Sequence, residues 1–245
     1  MLTLSDILYD IASVLYTPCC HCCAAPLDDG QNFICTECRS DAPLTAYWLN
    51  ANNALAQHLR SMAPRIEQAC AMFYIRKGSN WQNMIHNLKY RGRWRHGYDL
   101  GRWFGMELKS SKLYNTVEVI IPIPLHPLRH IKRGYNQSDF IAQGVARTLG
   151  VKVDRSHLLR RHHITSQVES SHKDRWLNME GMFAIKSAHK LEGKHILLID
   201  DVCTTGATTL ACAEALFESV KEVKISIATL ATIDRSYGFN ITISD

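Results

Sequence analysis

H-I-L-L-I-D-D-V-C-T-T-G-A-T-T, residues 195–209, reads as a buried strand, a turn and the start of a helix. Ile196 to Ile199 form an unbroken apolar run, the pattern of a strand covered on both faces. Asp200 and Asp201 stand at its carboxyl end, where open α/β sheets bind their ligands. Gly206 lets the backbone turn tightly, and the amides of Thr204, Thr205, Gly206, Ala207 and Thr208 are expected to converge at a helix N-terminus. That arrangement holds a phosphate dianion, with threonine hydroxyls as further donors. The two acids would repel the phosphate itself. They read instead as acceptors for sugar hydroxyls one ribose away, or as partners of a metal ion. A phosphorylated ribose satisfies both halves of the loop. Two rivals exist. The magnesium-binding strand of an ATPase needs G-x-x-x-x-G-K-S/T, which the chain lacks, and an ordinary strand–turn–helix would use the threonines only as caps.

Outward from this loop, strand and helix patterns alternate. Residues 69–76, 117–123, 151–153 and 223–231 read as strands. Residues 80–90, 95–109, 136–149 and 207–219 read as helices. Continuous apolar strands between helices predict a parallel sheet covered on both faces. Upstream, an amphipathic helix is expected over roughly 4–15 and a helical linker over 51–62 before Pro64. The polar, basic stretch 160–178 fits no element and is long for a structureless connection, which marks it as functional.

The chain has 245 residues, 46% hydrophobic and 21% charged, which excludes wholesale disorder. No apolar run reaches the roughly 20 residues of a membrane span. The first 17 residues carry Asp6 and Asp10 and no Lys or Arg, the wrong start for a secretory signal. A cytoplasmic protein with no membrane insertion is expected. The net charge of +5 is unevenly spread: residues 1–50 hold Arg39 against six acids, whereas 86–176 hold 17 Lys/Arg against 7 Asp/Glu. Such a basic block favours polyanions.

Six of the nine cysteines lie between Cys19 and Cys38. In a reducing compartment, paired Cys-x-x-Cys knuckles read as a tetrahedral zinc site before they read as disulfides. Two framings are open: Cys20 and Cys23 with Cys35 and Cys38, or Cys19 and Cys22 with the same second pair. A redox pair is the rival. Lys89, Tyr90, Arg91, Arg93, Trp94 and Arg95, with Tyr98, Arg102 and Trp103 beyond, alternate cations with rings. Single-stranded nucleic acid is held this way, with phosphates on cations and bases on rings. The plain alternative is that Trp94, Tyr98 and Trp103 are partly core.

The string D-D-V-x-T-T-G-A-T resembles the ribose-phosphate signature of type I phosphoribosyltransferases. L-K-Y-R-G at 88–92, I-P-I-P-L at 121–125 and R-G-Y-N-Q-S at 133–138 resemble one branch, the ComF family of competence-associated proteins. So do Thr165-Ser166-Gln167, Arg175, Asn178 and Phe183 in that order. The resemblance spans the whole chain, since that family also begins with a short helix and a four-cysteine zinc ribbon. It implies a type I phosphoribosyltransferase-like parallel sheet over 51–245, preceded by a zinc ribbon over 1–50.

It further implies Mg²⁺-phosphoribosyl pyrophosphate as ligand, with Asp200 and Asp201 on the ribose hydroxyls and residues 204–208 on the 5′-phosphate. Arg133, Asn136 and Gln137 belong by resemblance to the pyrophosphate loop, and Arg175 to a lid. The family's Pro-Leu after the second cysteine matches Pro26-Leu27, which selects Cys20 and Cys23 as ligands of a structural Zn²⁺. Two function classes follow. One is a phosphoribosyl-transferring enzyme. The other is a non-catalytic component of DNA uptake that binds single-stranded DNA, senses the ligand and works with DNA-uptake proteins.

Overall fold

A computed structural model describes residues 18–90, 93–161 and 181–233. The helix expected over 4–15, Arg91, Thr165 to Gln167, Arg175 and Asn178 lie outside the described residues. In chain order the elements are α1 (Thr36–Ser40), α2 (Ala54–Met62), β1 (Ile66–Ile75), α3 (Asn80–Asn87), α4 (Trp94–Ser110) and β2 (Val119–Pro122). Then follow α5 (Pro127–Arg133), α6 (Gln137–Leu149), β3 (Lys152–Val153), β4 (Leu158–Arg160), β5 (Phe183–Ile185), β6 (His195–Cys203), α7 (Ala207–Ser219) and β7 (Lys224–Ile233). Among the described residues, five strands form one sheet in the order β1-β7-β6-β2-β3, every neighbour parallel. β4 and β5 pair antiparallel as a separate hairpin.

The strand side chains alternate between two apolar layers, as the two-residue period requires. Ile120, Leu197, Ile199, Ala228 and Leu230 pack with α4 and α6. Ile121, Ile196, Leu198, Ile225 and Ile227 pack with α2, α7 and the β4–β5 hairpin. Every expected strand and helix within the described residues is present. The β6 strand runs four residues further than the apolar run, through both acids to Cys203. The short helix α5 was not anticipated: its apolar residues Leu128 and Ile131 are 70% and 73% exposed, so no buried stripe betrays it.

Two local devices position the site. Asn53 caps α2 by accepting from the Ala56 amide at 2.9 Å, while its own amide donates to the carbonyls of Tyr47, Asn50 and Ala69. All its polar atoms are thus engaged in a buried place. Helices α4 and α6 touch through glycine. A Cβ on Gly101 would run into the Ile141 carbonyl, and one on Gly144 would run into the Tyr98 carbonyl and lie 2.6 Å from the Arg102 nitrogen. This close crossing seats the N-terminus of α6 beside the ends of β2 and β6.

The ribbon is tied into the same core. Ile34 is buried in the cluster that holds Phe73, Trp81 and Trp103. Phe33 meets Trp103 edge-on at 6.5 Å, and the Arg39 guanidinium lies 4.9 Å from that ring. His21 stacks on His96 of α4, with ring centroids 3.6 Å apart.

Candidate functional site

The ends of β2 and β6, the first residues of α6 and the tip of β4 enclose a cleft of about 310 Å³. Its wall carries Asp200, Asp201, Thr204 and Thr208 from the β6–α7 loop. Arg129, Arg133, Asn136, Gln137 and Ser138 come from α5 and the start of α6, with Lys89 and Arg160 at the sides. Residues 203–209 form a smaller concavity of about 40 Å³ adjoining it. The elements explain this convergence. A parallel sheet places every strand's carboxyl end at one edge, and helix N-termini return there.

In the loop, Gly206 has φ +83° and caps α7 with no side-chain hydrogen bond. A Cβ there would also strike the Leu59 side chain of α2, so glycine is required twice over. α2 holds the loop from behind, since the His58 ring nitrogen lies 3.0 Å from the Thr205 carbonyl. The result is a helix N-terminus open to an anion.

Asp200 accepts from the Ser138 hydroxyl at 3.0 Å and from the Asp201 amide at 2.9 Å. Asp201 accepts from the Val202 amide at 2.7 Å. Burial, and then the neighbouring Asp201 carboxylate, push the Asp200 pKa up to about 8. Because this folded value lies above the unfolded one near 3.9, Asp200 favours folding below about pH 4. That contribution fades as pH rises toward 8.

The pyrophosphate-loop candidates divide by role. Asn136 is buried and spends its amide on the Ile123 carbonyl at 3.0 Å, which clips the loop after β2 to α6. Arg133 donates to the Gln137 side-chain oxygen at 3.2 Å. That leaves Gln137 with its nitrogen buried and without a partner among the described residues. Arg160 has the same feature at Nε. Two unpaired donors on one cleft wall match an anionic or hydroxyl-bearing ligand.

Sequence reasoning did not single out Ser138 or Arg129, took Arg160 only as the start of the basic stretch 160–178, and assigned Lys89 to the nucleic-acid surface. The structure puts all four at the cleft. Neither arginine could be assigned to an element, because each comes from one too short to show a period. Tyr135 explains why L-K-Y-R-G and R-G-Y-N-Q occur together: its hydroxyl sits between the carbonyls of Leu88 and Tyr90, fastening Lys89 to the cleft rim.

Beyond that rim, Tyr90 is 53% exposed and Trp94 40% exposed, whereas Trp103 is in the core. Trp94 rests one face on Phe140 at 5.4 Å, and the Arg95 guanidinium lies 5.3 Å from its ring. Arg93 and Arg95 are exposed. The aromatic pattern is therefore divided between surface and core.

At the other end of the chain, the thiols of Cys20, Cys23, Cys35 and Cys38 lie within 4.8 Å of one another. The Cys23 and Cys35 sulfurs are 3.8 Å apart, which matches the edge of roughly 3.8 Å of a tetrahedron with 2.3 Å Zn–S bonds. Amides of Cys22 and Cys35 donate to the Cys20 sulfur, and that of Cys38 to the Cys35 sulfur, each at 3.4 Å. Burial works to raise the Cys20 pKa, but the amides of Cys23, Cys35 and Cys22 outweigh it and lower the thiol to about 7. Four convergent sulfurs with amide donors fit a closed metal site. Cys19 and Cys22 are not among these four convergent thiols.

A doubly covered parallel sheet with a ribose-phosphate-type loop at its carboxyl edge defines a phosphoribosyltransferase-like protein. The profile of the Phosphoribosyl transferase domain family matches residues 138–239. The chain is 26% identical over 216 residues to the DNA utilization protein YhgH of Escherichia coli O6:H1, covering 82% of this chain and 91% of that one. It is also 26% identical over 219 residues to Competence protein F of Haemophilus influenzae, covering 84% and 94%. The profile match and these relatives support a ComF-family, phosphoribosyltransferase-like protein. A solved glutamine phosphoribosylpyrophosphate amidotransferase from Bacillus subtilis overlays 58% of the chain at 17% identity and a TM-score of 0.40, and the chain spans 30% of its length. Among the described residues, no helix is long and apolar enough to cross a membrane.

Proposed function

We propose that the cleft binds Mg²⁺-phosphoribosyl pyrophosphate. On this reading residues 1–50 form a Zn²⁺ ribbon, and 51–245 a phosphoribosyltransferase-like domain acting in DNA uptake. The observation that carries it is the division of the cleft by charge. A helix N-terminus built from residues 204–208 stands at one end, two acids in the middle, and Lys89, Arg129, Arg133 and Arg160 around the rest. One phosphate, one diol and one highly charged pyrophosphate answer that sequence of groups. The carboxylates of Asp200 and Asp201 accept from the ribose hydroxyls. The cations and the Gln137 amide face the pyrophosphate, whose accompanying Mg²⁺ spreads the charge of the leaving group.

Replacing Asp200 and Asp201 together by Asn should weaken phosphoribosyl pyrophosphate binding about 100-fold by calorimetry, and adenosine triphosphate binding far less. An amide offers one acceptor where the carboxylate offers two. Since burial and Asp201 raise the Asp200 pKa to about 8, wild-type affinity should rise with pH up to that value, with proton release at neutral pH. Unchanged affinity in the double variant removes these residues from the site. Pyrophosphate released only when a nucleobase or DNA is added would mark an enzyme, and binding without release a sensor.

A second reading, contact with single-stranded DNA, is favoured by the exposure of Tyr90 and Trp94 beside Arg93 and Arg95. Trp94→Ala should cost about 1–3 kcal/mol of single-strand binding while leaving the salt dependence nearly unchanged. Changing Arg91, Arg93 and Arg95 together to Ala should flatten that dependence by up to about three contacts. Equal affinity for single and double strands, with no effect of Trp94→Ala, reduces the rings to packing.

A further inference from the structure

The segment joining α5 to α6 faces two ways. Arg133, Asn136 and Gln137 line the cleft, whereas Tyr135 between them sets its ring edge-on to Phe140 of α6, at 5.6 Å. Phe140 in turn supports Trp94. Gly134 makes the reversal possible: it closes α5 at φ +80°, in the left-handed region, and its amide donates to the His130 carbonyl. The Tyr135 hydroxyl then spans to the turn after α3, sharing its proton between the carbonyls of Leu88 and Tyr90. The charges of Arg133 on the cleft side and Arg93 on the other are both felt at that hydroxyl.

The turn it holds serves two surfaces. Lys89 reaches the cleft wall. Tyr90, the next residue, is 53% exposed and meets the His86 ring at 5.4 Å. Its carbonyl also takes the Arg93 amide at 3.3 Å, just before α4 begins at Trp94. Leu88 is buried in the core, which anchors the turn at one end. A turn anchored at one end alone would have to be ordered by each ligand, at a cost in affinity. A hydroxyl that fixes its carbonyls beforehand removes that cost. Resting on both readings above, of the cleft and of the strand surface, we infer that Tyr135 is a positioning residue for two sites at once: its hydroxyl presets Lys89 for phosphoribosyl pyrophosphate and Tyr90 for single-stranded DNA.

Tyr135→Phe deletes only the hydroxyl. The ring stays on Phe140 and the Tyr90 carbonyl keeps the Arg93 amide, so the variant folds, and binding is measured below its melting transition. With full-length, zinc-loaded protein, Mg²⁺-phosphoribosyl pyrophosphate is titrated by calorimetry and a fluorescein-labelled oligothymidylate by anisotropy. Each affinity should fall about three- to tenfold, the worth of one hydrogen bond. A pair of double-mutant cycles separates positioning from a merely structural role, which would weaken binding equally in every background. With Lys89→Met present, the loss for phosphoribosyl pyrophosphate should shrink below about twofold; with Tyr90→Ala present, the loss for the oligonucleotide should do the same. Undiminished losses in those backgrounds, a loss for one ligand only, or no loss at all overturn the inference while both sites stand. Wild type that binds no phosphoribosyl pyrophosphate overturns the cleft reading, and wild type that binds no oligonucleotide overturns the strand reading. Either result takes this inference with it.

Discussion

Replacing Cys35 by Ser should abolish metal retention, with about one zinc per chain in wild type and none in the variant by elemental analysis. It should also lower the melting temperature of the whole protein, not of the ribbon alone. Structural zinc is worth about 10–16 kcal/mol of apparent binding energy in isolated finger peptides, and in a short ribbon that binding energy is folding energy. Cys35 is buried, its sulfur accepts the Cys38 amide and its own amide reaches the Cys20 sulfur, so both knuckles fail with it. The loss spreads because Ile34, next in the chain, sits in the main apolar cluster, and Phe33 and Arg39 cover Trp103. Uncovering that tryptophan should red-shift its fluorescence. Cys19→Ser should retain the metal. Protein purified under reducing conditions without zinc, or a Cys35→Ser variant that melts like wild type, contradicts the ribbon and its coupling to the core.

Gly144→Ala should be the most damaging single-methyl change in the described fold, costing about 3 kcal/mol or more, beyond the usual overpacking range because the obstacle is backbone. The added Cβ would overlap the Tyr98 carbonyl and crowd Arg102 and Gly101, and helix backbone cannot rotate away as a side chain can. The α4–α6 pair must part, and α6 carries Asn136, Gln137 and Ser138, so ligand affinity should fall with stability. Gly97→Ala on the same face of α4 is the control. Its Cβ would sit 3.5 Å from the Phe140 Cβ, an ordinary contact. Its better helix propensity should leave stability unchanged or raise it by up to about 1 kcal/mol. Denaturant melts of the two variants separate a steric crossing from simple propensity. Equal, small effects would mean that the helices do not approach this closely.

Much of the fold could be read from residue order because its causes are local. The apolar run before Asp200, the helix from Ala207 and the knuckles around Cys20 and Cys35 are each set within one window. Alternation of such windows leaves few arrangements other than a parallel sheet. The loop after β6 was legible for the same reason: a strand end, a glycine and a helix start are consecutive residues. Which cations face that loop depended on distance in space. Lys89 reaches the cleft because Tyr135, forty-six residues later, holds its turn. Arg160 reaches it because a hairpin pairs with Phe183 across a long insertion. Trp94 and Trp103, alike on paper, part company because α4 turns one toward Phe73 and leaves the other at the surface. Residue order thus determined the strands, the loop and the cysteine knuckles, whose geometry spans a few bonds. Only the tertiary structure decided the composition of the cleft wall, because the glycine crossing of α4 and α6 and the β4–β5 pairing bring residues far apart in the chain to one sheet edge.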